Sequence, residues 1–366
     1  MSWRKWSFRI GAVAAAPLIA LLVVETGARV LTAPAEAELA FNAPDNAPDG
    51  LYTNSHSIGH VPTPGFEATA VSPGYSVRLR VNSLGMRGPE PEPDTGKERW
   101  MVGGDSFTFA AQVEEEDTFV QRLATDQREL FNLGADGYGS WQPLVRYREL
   151  DEPLGLDALL VVFFTGNDLN DNARQQMELQ SARRMPDGAL KPSIHIPPGQ
   201  RWLSRHSFLY AHYKVVKQTE ALRSGADPNA QRWARELKIF TQSGERELAG
   251  LMNSTVPWLR GLKEATAERG DKLLIAVAPP GFAVDERRRE AAFELVGHDP
   301  AQALPRAPTD AVLRALEQQG IASCDLHAPL QAATDAGDSV YFDFDGHWTT
   351  RGHQIVSQTL SDCMAR

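Results

Sequence analysis

Apolar and polar positions along the chain fall into two alternating rhythms. Trp100-Met101-Val102 is a short apolar run that stops at Gly103-Gly104 and gives way to helical spacing at Phe119, Val120 and Leu123, with Asp117 or Thr118 placed to cap it. Phe131-Asn132-Leu133 is a second short strand that runs into Gly134, Gly137 and Gly139. Ser140 and Pro143 open a helix containing Leu144, Val145 and Leu150, because helix starts favour serine at the cap and proline in the first turn. Ala158–Phe164 is an unbroken apolar run, the pattern of a strand buried on both faces of a parallel sheet. Residues 273–278 and 320–326 supply two further strands, the second after a helix around 311–318. Strands alternating with helices imply right-handed crossovers. The pattern therefore predicts an α/β fold, a three-layer α/β/α sandwich around a parallel, doubly wound (flavodoxin-like) sheet of about five strands.

The alternation starts near Lys97, and the chain before it reads differently. Arg4, Lys5 and Arg9 precede an apolar run over 10–24, interrupted by Pro17, and no Lys or Arg lies between Arg29 and Arg78. By the positive-inside rule the amino terminus stays in the cytoplasm and the rest is exported. Residues 1–30 are thus expected to form a retained N-terminal membrane anchor, with the bulk of the chain periplasmic or extracytoplasmic; Ala35-Glu36-Ala37 resembles a signal cleavage site but lies too far past the apolar run. Residues 31–96 read as a lead-in and linker, within which 75–81 alternates like a half-buried strand and Asn82-Ser83-Leu84-Gly85 closes it as a turn. Residues 97–366 form the main domain, interrupted over about 171–255 by an insertion that fits the rhythm poorly, although 233–251 has a charged helical pattern.

Composition narrows the function classes. The formal charge of −10 argues against a nucleic-acid partner, whose phosphates select basic surfaces. The two cysteines, Cys324 and Cys363, lack metal-ligand spacing; in an exported chain they either pair in one disulfide or stay buried as thiols. Metalloprotease, P-loop and dinucleotide fingerprints are missing, so no metal or cofactor is expected, and Asp168 and Asp171 read as structural caps rather than calcium ligands. The α/β-hydrolase elbow requires glycine two residues after the serine, where this chain has Thr108.

What the chain does carry is a polar group of the type acyl transfer needs at each of several strand ends. Ser106 follows the first strand as candidate nucleophile. Asn132-x-Gly134-x-x-Gly137 follows the second, Thr165-Gly166-Asn167-Asp168 the third, and Asp345-Gly346-His347-Trp348 precedes the last helix. In a parallel sheet the carboxyl ends of neighbouring strands share one edge, so these loops are able to meet. Reach selects Asp345 over Asp343 as the partner of His347, since an extended chain puts Asp343 about twice as far away. His353 reads as a surface or cap residue, and Asn82 and Arg87 as organisers of a turn.

These four blocks, Gly104-Asp105-Ser106, 132–137, Gly166-Asn167-Asp168 and 345–347, occur in the order found in the SGNH, or GDSL-type, hydrolase superfamily, which the chain resembles over about 78–170 and 320–360. The arrangement of an N-terminal anchor ahead of Asn82-Ser83, Arg87-Gly88 and then Gly-Asp-Ser is similar to membrane-anchored bacterial members. The resemblance implies Ser106 as nucleophile, His347 as general base and Asp345 as its orienting acid. It further implies an oxyanion hole made by the backbone N–H groups of Ser106 and Gly137 and the Asn167 amide. The commoner block has aspartate three residues before the histidine, where this chain has Phe344; the two-residue spacing resembles the alginate O-acetylation branch. The expected function is a serine esterase or O-acyltransferase acting on acyl esters, chiefly acetyl, of an extracytoplasmic polysaccharide. The alternatives are a lipid or general carboxylesterase and a catalytically silent glycan-binding scaffold.

Overall fold

In the computed structural model of the protein, the apolar run Ala158–Phe164 is the middle strand of a five-stranded sheet and is buried at every position. The structure describes residues 3–31, 47–72, 74–93, 96–174, 182–184, 190–192, 198–224, 230–343 and 345–365. Ahead of the sheet lie two hairpins, β1 (Tyr52–Ser55) with β2 (Gly59–Pro62) and β3 (Glu67–Ser72) with β4 (Tyr75–Arg80), both antiparallel. The sheet is built from β5 (Glu98–Gly104), β6 (Arg128–Asn132), β7 (Ala158–Phe164), β10 (Lys272–Ala278) and β11 (Ala322–Asp325). Between β7 and β10 a short hairpin, β8 (Ala182–Arg184) with β9 (Leu190–Pro192), stands apart from it.

Every pairing in the main sheet is parallel and the spatial order is β11-β10-β7-β5-β6. Counted in chain order among the sheet strands this is 2-1-3-4-5, the flavodoxin-like doubly wound arrangement. The strand order reverses between β5 and β7, the switch point beyond whose carboxyl edge doubly wound sheets place ligands. Ser106 follows β5 and Asn167 follows β7, so the two candidate residues flank that switch point.

Side chains of β7 alternate between two cores, as the pleat requires. Leu159, Val161 and Phe163 join Met101, Ile275 and Val277 beneath the helices Trp141–Leu154, Glu245–Ala267 and Ala307–Gln318. Leu160, Val162 and Phe164 face the other way, with Trp100, Val102 and Ala276, beneath Phe119–Leu123 and Thr350–Met364. Thr118 caps the first of these two helices through the backbone N–H of Gln121. Cys324 on β11 is bonded to Cys363 in the last helix, with Cα atoms 5.9 Å apart, which decides between the two states open to these cysteines.

The lead-in hairpins share a third core with the main domain. Val77, Leu79 and Val81 bury against Phe109, Ala135 and Tyr138, so residues 51–81 lie against the loops that follow β5 and β6. The helical stretch expected over 233–251 is two helices, Ala230–Lys238 and Glu245–Ala267, because Ile239 and Phe240 turn into the core between them. The first helix, Trp3–Leu31, coincides with the expected anchor, and its side chains over 1–15 lie outside the described residues. Among the described residues no helix is long and apolar enough to cross a membrane. The carboxyl-terminal end of Trp3–Leu31 docks on the insertion. There Glu25 accepts hydrogen bonds from the Ser207 hydroxyl at 3.0 Å and the Leu209 N–H at 3.3 Å, capping the helix Phe208–Arg223.

Candidate active site

The nucleophile turn is shaped by close packing. A Cβ on Gly104 would sit 2.3 Å from Thr108 Oγ1 and 2.8 Å from the Val162 carbonyl, so only glycine allows β5 to bend there. Asp105 caps the short helix Ser106–Phe109 by accepting the Phe107 N–H at 2.9 Å. Asp105 therefore serves the backbone as a cap. The helix ends at Ala110 with φ of 59°, a left-handed conformation that a residue with a Cβ adopts only when held. Arg87 supplies the hold: its buried guanidinium donates to the carbonyls of Phe109 (2.7 Å), Ala110 and Val113 (2.6 Å). Burial depresses its pKa to about 10, still leaving it charged at neutral pH. Asn82 organises the preceding turn, accepting the N–H groups of Leu84 and Met86 at 3.0 Å each.

His347 reaches Ser106, the candidate nucleophile, from the segment before the last helix. Its Nε2 is 2.7 Å from Ser106 Oγ, and its Nδ1 contacts Asp345 Oδ1. With Nδ1–H donated to Asp345, Nε2 is the unprotonated nitrogen facing the serine, the tautomer a general base needs. Gly346, with φ of 78°, makes the bend that brings aspartate and imidazole together. Asp343 is elsewhere, paired with Arg288 at 2.7 Å and Arg287 at 3.6 Å.

Burial and charge act on the pair in opposite senses. Burial disfavours the imidazolium, but the charge and hydrogen bond of Asp345, with Asp105 and Asp136 behind, outweigh it and raise the His347 pKa. Burial likewise pushes the Asp345 carboxyl up; the His347 charge and hydrogen bond, with one from Tyr75, win and bring it below its ordinary value. The ring is held in place by Phe107, whose centroid lies 4.7 Å from it and 3.9 Å from that of Phe164.

The proposed oxyanion donors sit on the two flanking loops. Gly137 follows β6 with φ of 71°, in the left-handed region that favours glycine. Asn132 joins that loop to the nucleophile helix, donating to the Thr108 carbonyl at 2.8 Å and accepting the Gly134 N–H at 3.0 Å. Asn167 starts the helix Asp168–Arg174, and its Nδ2 donates to Asp171 Oδ2 at 2.6 Å. One of the two amide hydrogens is committed to Asp171. Burial pushes the Asp171 carboxyl up to about 6 even against the Asn167 hydrogen bond, so it is mainly ionised at neutral pH. Asp168 accepts the Phe164 N–H at 2.9 Å, tying the end of β7 to the helix that follows, whereas Asp171 bonds to a side chain and caps nothing. Among the described residues no group of three or more His, Cys, Asp or Glu is gathered as a metal site would require.

Three contributors carry no sequence signal that marks them. Tyr75 donates to Asp345 Oδ2 at 3.0 Å, and the Gln112 amide lies 3.2 Å from His347 Nδ1. His353, expected as a surface or cap residue, is 1% exposed; it accepts the N–H of Phe119, the first residue of the helix Phe119–Leu123, at 3.3 Å and stacks on the Phe119 ring. It sits on the inward stripe of the last helix beside Val356 and Leu360, and burial drives its pKa down to about 3.

Residues 239–366 match the family model described as the SGNH hydrolase-like domain of the acetyltransferase AlgX. A probable alginate O-acetylase AlgJ from Pseudomonas putida is 23% identical over 135 residues, 36% of this chain and 33% of that protein. The chain thus matches about a third of the length of that curated relative. A lipolytic G-D-S-L family protein from Veillonella parvula superposes with a TM-score of 0.40 at 11% identity, covering 74% of this chain and 99% of that one. A catalytic mutant of the acetylxylan esterase Axe2 from Geobacillus stearothermophilus gives 0.36 at 12% identity, covering 74% and 95%.

Proposed function

We propose that this chain, which resembles the SGNH superfamily and its O-acetyltransferase branch, is a serine-dependent esterase or O-acyltransferase. Its substrates would be acyl esters, chiefly acetyl, on an extracytoplasmic glycan. The observation that carries the reading is the continuous relay from Ser106 Oγ through both nitrogens of His347 to Asp345. A serine hydroxyl is barely nucleophilic at neutral pH, and a base at hydrogen-bond distance is what activates it. In the first step Ser106 Oγ attacks the acyl carbonyl while its proton passes to His347 Nε2. The tetrahedral oxyanion is stabilised by the N–H groups of Ser106 and Gly137 and the Asn167 amide. Collapse breaks the ester bond, and the imidazolium returns the proton to the departing alcohol. Water or an acceptor hydroxyl then attacks the acyl-serine by the same route in reverse.

The glycan is supported by the matching family, an acetyltransferase domain, and by the alginate O-acetylase relative. The extracytoplasmic address and the N-terminal anchor rest on the basic cluster ahead of residue 10 and on the following stretch without Lys or Arg. The Cys324–Cys363 disulfide is in keeping with an oxidising compartment. The test is to give the purified protein a small aryl acetate, with and without a sugar acceptor, and to follow both acetate release and acetylated sugar. Acetylated sugar identifies a transferase and free acetate alone an esterase. Preference for long acyl chains would point to a lipid esterase, and no turnover to a binding scaffold.

A further inference from the structure

We propose that Tyr75, on a hairpin outside the five-stranded sheet, is a positioning residue for the catalytic pair, holding the Asp345 carboxylate so that His347 presents Nε2 to Ser106. The inference rests on the esterase reading above and adds a fourth member to its site. Asp345 lies in the turn closed by the Phe342 and Gly346 N–H bonds to the His347 and Phe342 carbonyls, is 5% exposed, and its carboxylate also accepts the His347 backbone N–H; that local turn leaves the far carboxylate oxygen to a partner from elsewhere in the chain. One carboxylate oxygen is used by His347 and the other is 3.0 Å from the Tyr75 hydroxyl. A buried carboxylate with an unpartnered oxygen is costly, and a phenol donates to it without bringing a charge.

The hairpin is anchored so that this contact is directed. Tyr75 pairs with Ser72 at the tip of β3–β4, and its ring lies 5.7 Å from that of Phe342, three residues ahead of Asp345. Behind the tip, Val77 and Leu79 pack in the same cluster as Phe109, the last residue of the nucleophile helix. Lower down, the Arg78 N–H reaches the Glu114 carboxylate at 3.2 and 3.3 Å. One hairpin therefore grips both ends of the relay, the serine helix through its apolar face and the aspartate through a phenol. A carboxylate free to turn would let the imidazole rotate, and small misplacements of a general base are expensive in rate.

The test is Tyr75→Phe in the full chain, which keeps the ring against Phe342 and deletes the donor. On an aryl acetate kcat should fall about tenfold with KM near that of the wild type, the scale of a lost hydrogen bond to a charged group. A carboxylate that loses a donor becomes a stronger partner for the imidazolium, so the NMR titration midpoint of His347 and the acid limb of kcat/KM should both move to higher pH. The other groups facing that ring, Asp105, Asp136, Gln112 and His353, are unchanged in the variant. Arg78→Ala on the exposed side of the same hairpin should alter neither quantity. In an Asp345→Asn background the added Tyr75→Phe change should cost little further, since the two act on one contact. An unmoved His347 titration, or losses that simply add, overturns the proposal whatever happens to thermal stability. If the wild-type protein has no turnover at all, the esterase reading falls while the His347 titration still decides this one.

Discussion

His347 Nε2 lies 2.7 Å from Ser106 Oγ although 241 residues separate them in the chain. The contact exists because both residues sit at the carboxyl edge of one parallel sheet, where β5 and β7 part. At neutral pH a serine-directed phosphonate is expected to label Ser106. Ser106→Ala should remove the label and lower turnover by about 10³-fold or more, as losing a nucleophile does in serine proteases. Mass mapping of the labelled peptide checks it; a label on another serine counts against the mechanism. Turnover should also rise with pH through a midpoint above the ordinary imidazole value of 6.5, because His347 acts neutral and its pKa is raised.

Asp345→Asn and Asp343→Asn should differ sharply. The first preserves shape but favours the wrong imidazole tautomer, an effect of about 10⁴-fold on kcat in the serine-protease precedent. The second removes a partner of the buried Arg288 and should leave turnover within a few-fold while lowering stability by about 1 kcal/mol. Turnover of the two variants at matched folded fraction decides between them.

Asn167→Ala should lower kcat by about 10²- to 10³-fold with a small change in KM, as removal of one oxyanion donor does. Asp171→Asn should give a milder loss, since the Asn167 amide keeps its place in the loop but loses the carboxylate that orients it at 2.6 Å. Steady-state kinetics on one aryl acetate give both values, and an Asn167→Ala enzyme at full rate would remove this residue from the oxyanion hole.

Acid should act on the protein through His353. Its pKa is depressed to about 3 in the native state against 6.5 unfolded, so over that interval the unfolded chain binds a proton that the native chain does not. The stability this burial contributes is present above pH 6.5 and is lost as the pH falls towards about 3. Asp105 and Asp171, pushed up to about 7 and about 6, work in the opposite sense, gaining stability as the pH falls. The difference between wild type and His353→Gln in denaturant melts at pH 7 and pH 4 isolates the histidine, and the variant should lose less stability on acidification.

The Cys324–Cys363 bond closes a sequence separation of 39 residues between β11 and the last helix. A loop of that length is worth roughly 4 kcal/mol in the chain-entropy model, with measured values commonly lower. Cys324→Ala with Cys363→Ala should therefore unfold at clearly lower denaturant, and reduction should shift the wild type in the same direction. Equal midpoints with and without reductant would mean that the bond does not form.

The five strands of the main sheet were legible in the sequence, because an unbroken apolar run such as Ala158–Phe164 fits the middle of a covered parallel sheet, whereas β1–β3 in the stretch read as an irregular lead-in, and β8–β9, were not. The sequence by itself also determined which turns end the sheet strands, since Gly104 and Gly137 adopt backbone that other residues resist and Asn132 and Asn167 bond locally within their own loops. Those are short-range effects, and they bring the four polar blocks to one edge. Tertiary structure alone decided the partners. Tyr75 is one residue of an alternating strand, YSVRLR, and nothing in that pattern distinguishes it; its role follows from where the hairpin tip meets Asp345, 270 residues on. Arg87 read as a turn residue until its guanidinium was placed against three carbonyls of the nucleophile loop. His353 read as a surface or cap residue because a single histidine near a helix start has no periodic signature; only the packing of that helix on Phe119 buries it and gives it the Phe119 N–H. Periodicity and turn chemistry are local and written residue by residue, whereas these contacts join segments whose meeting is set by the crossover topology of the whole sheet.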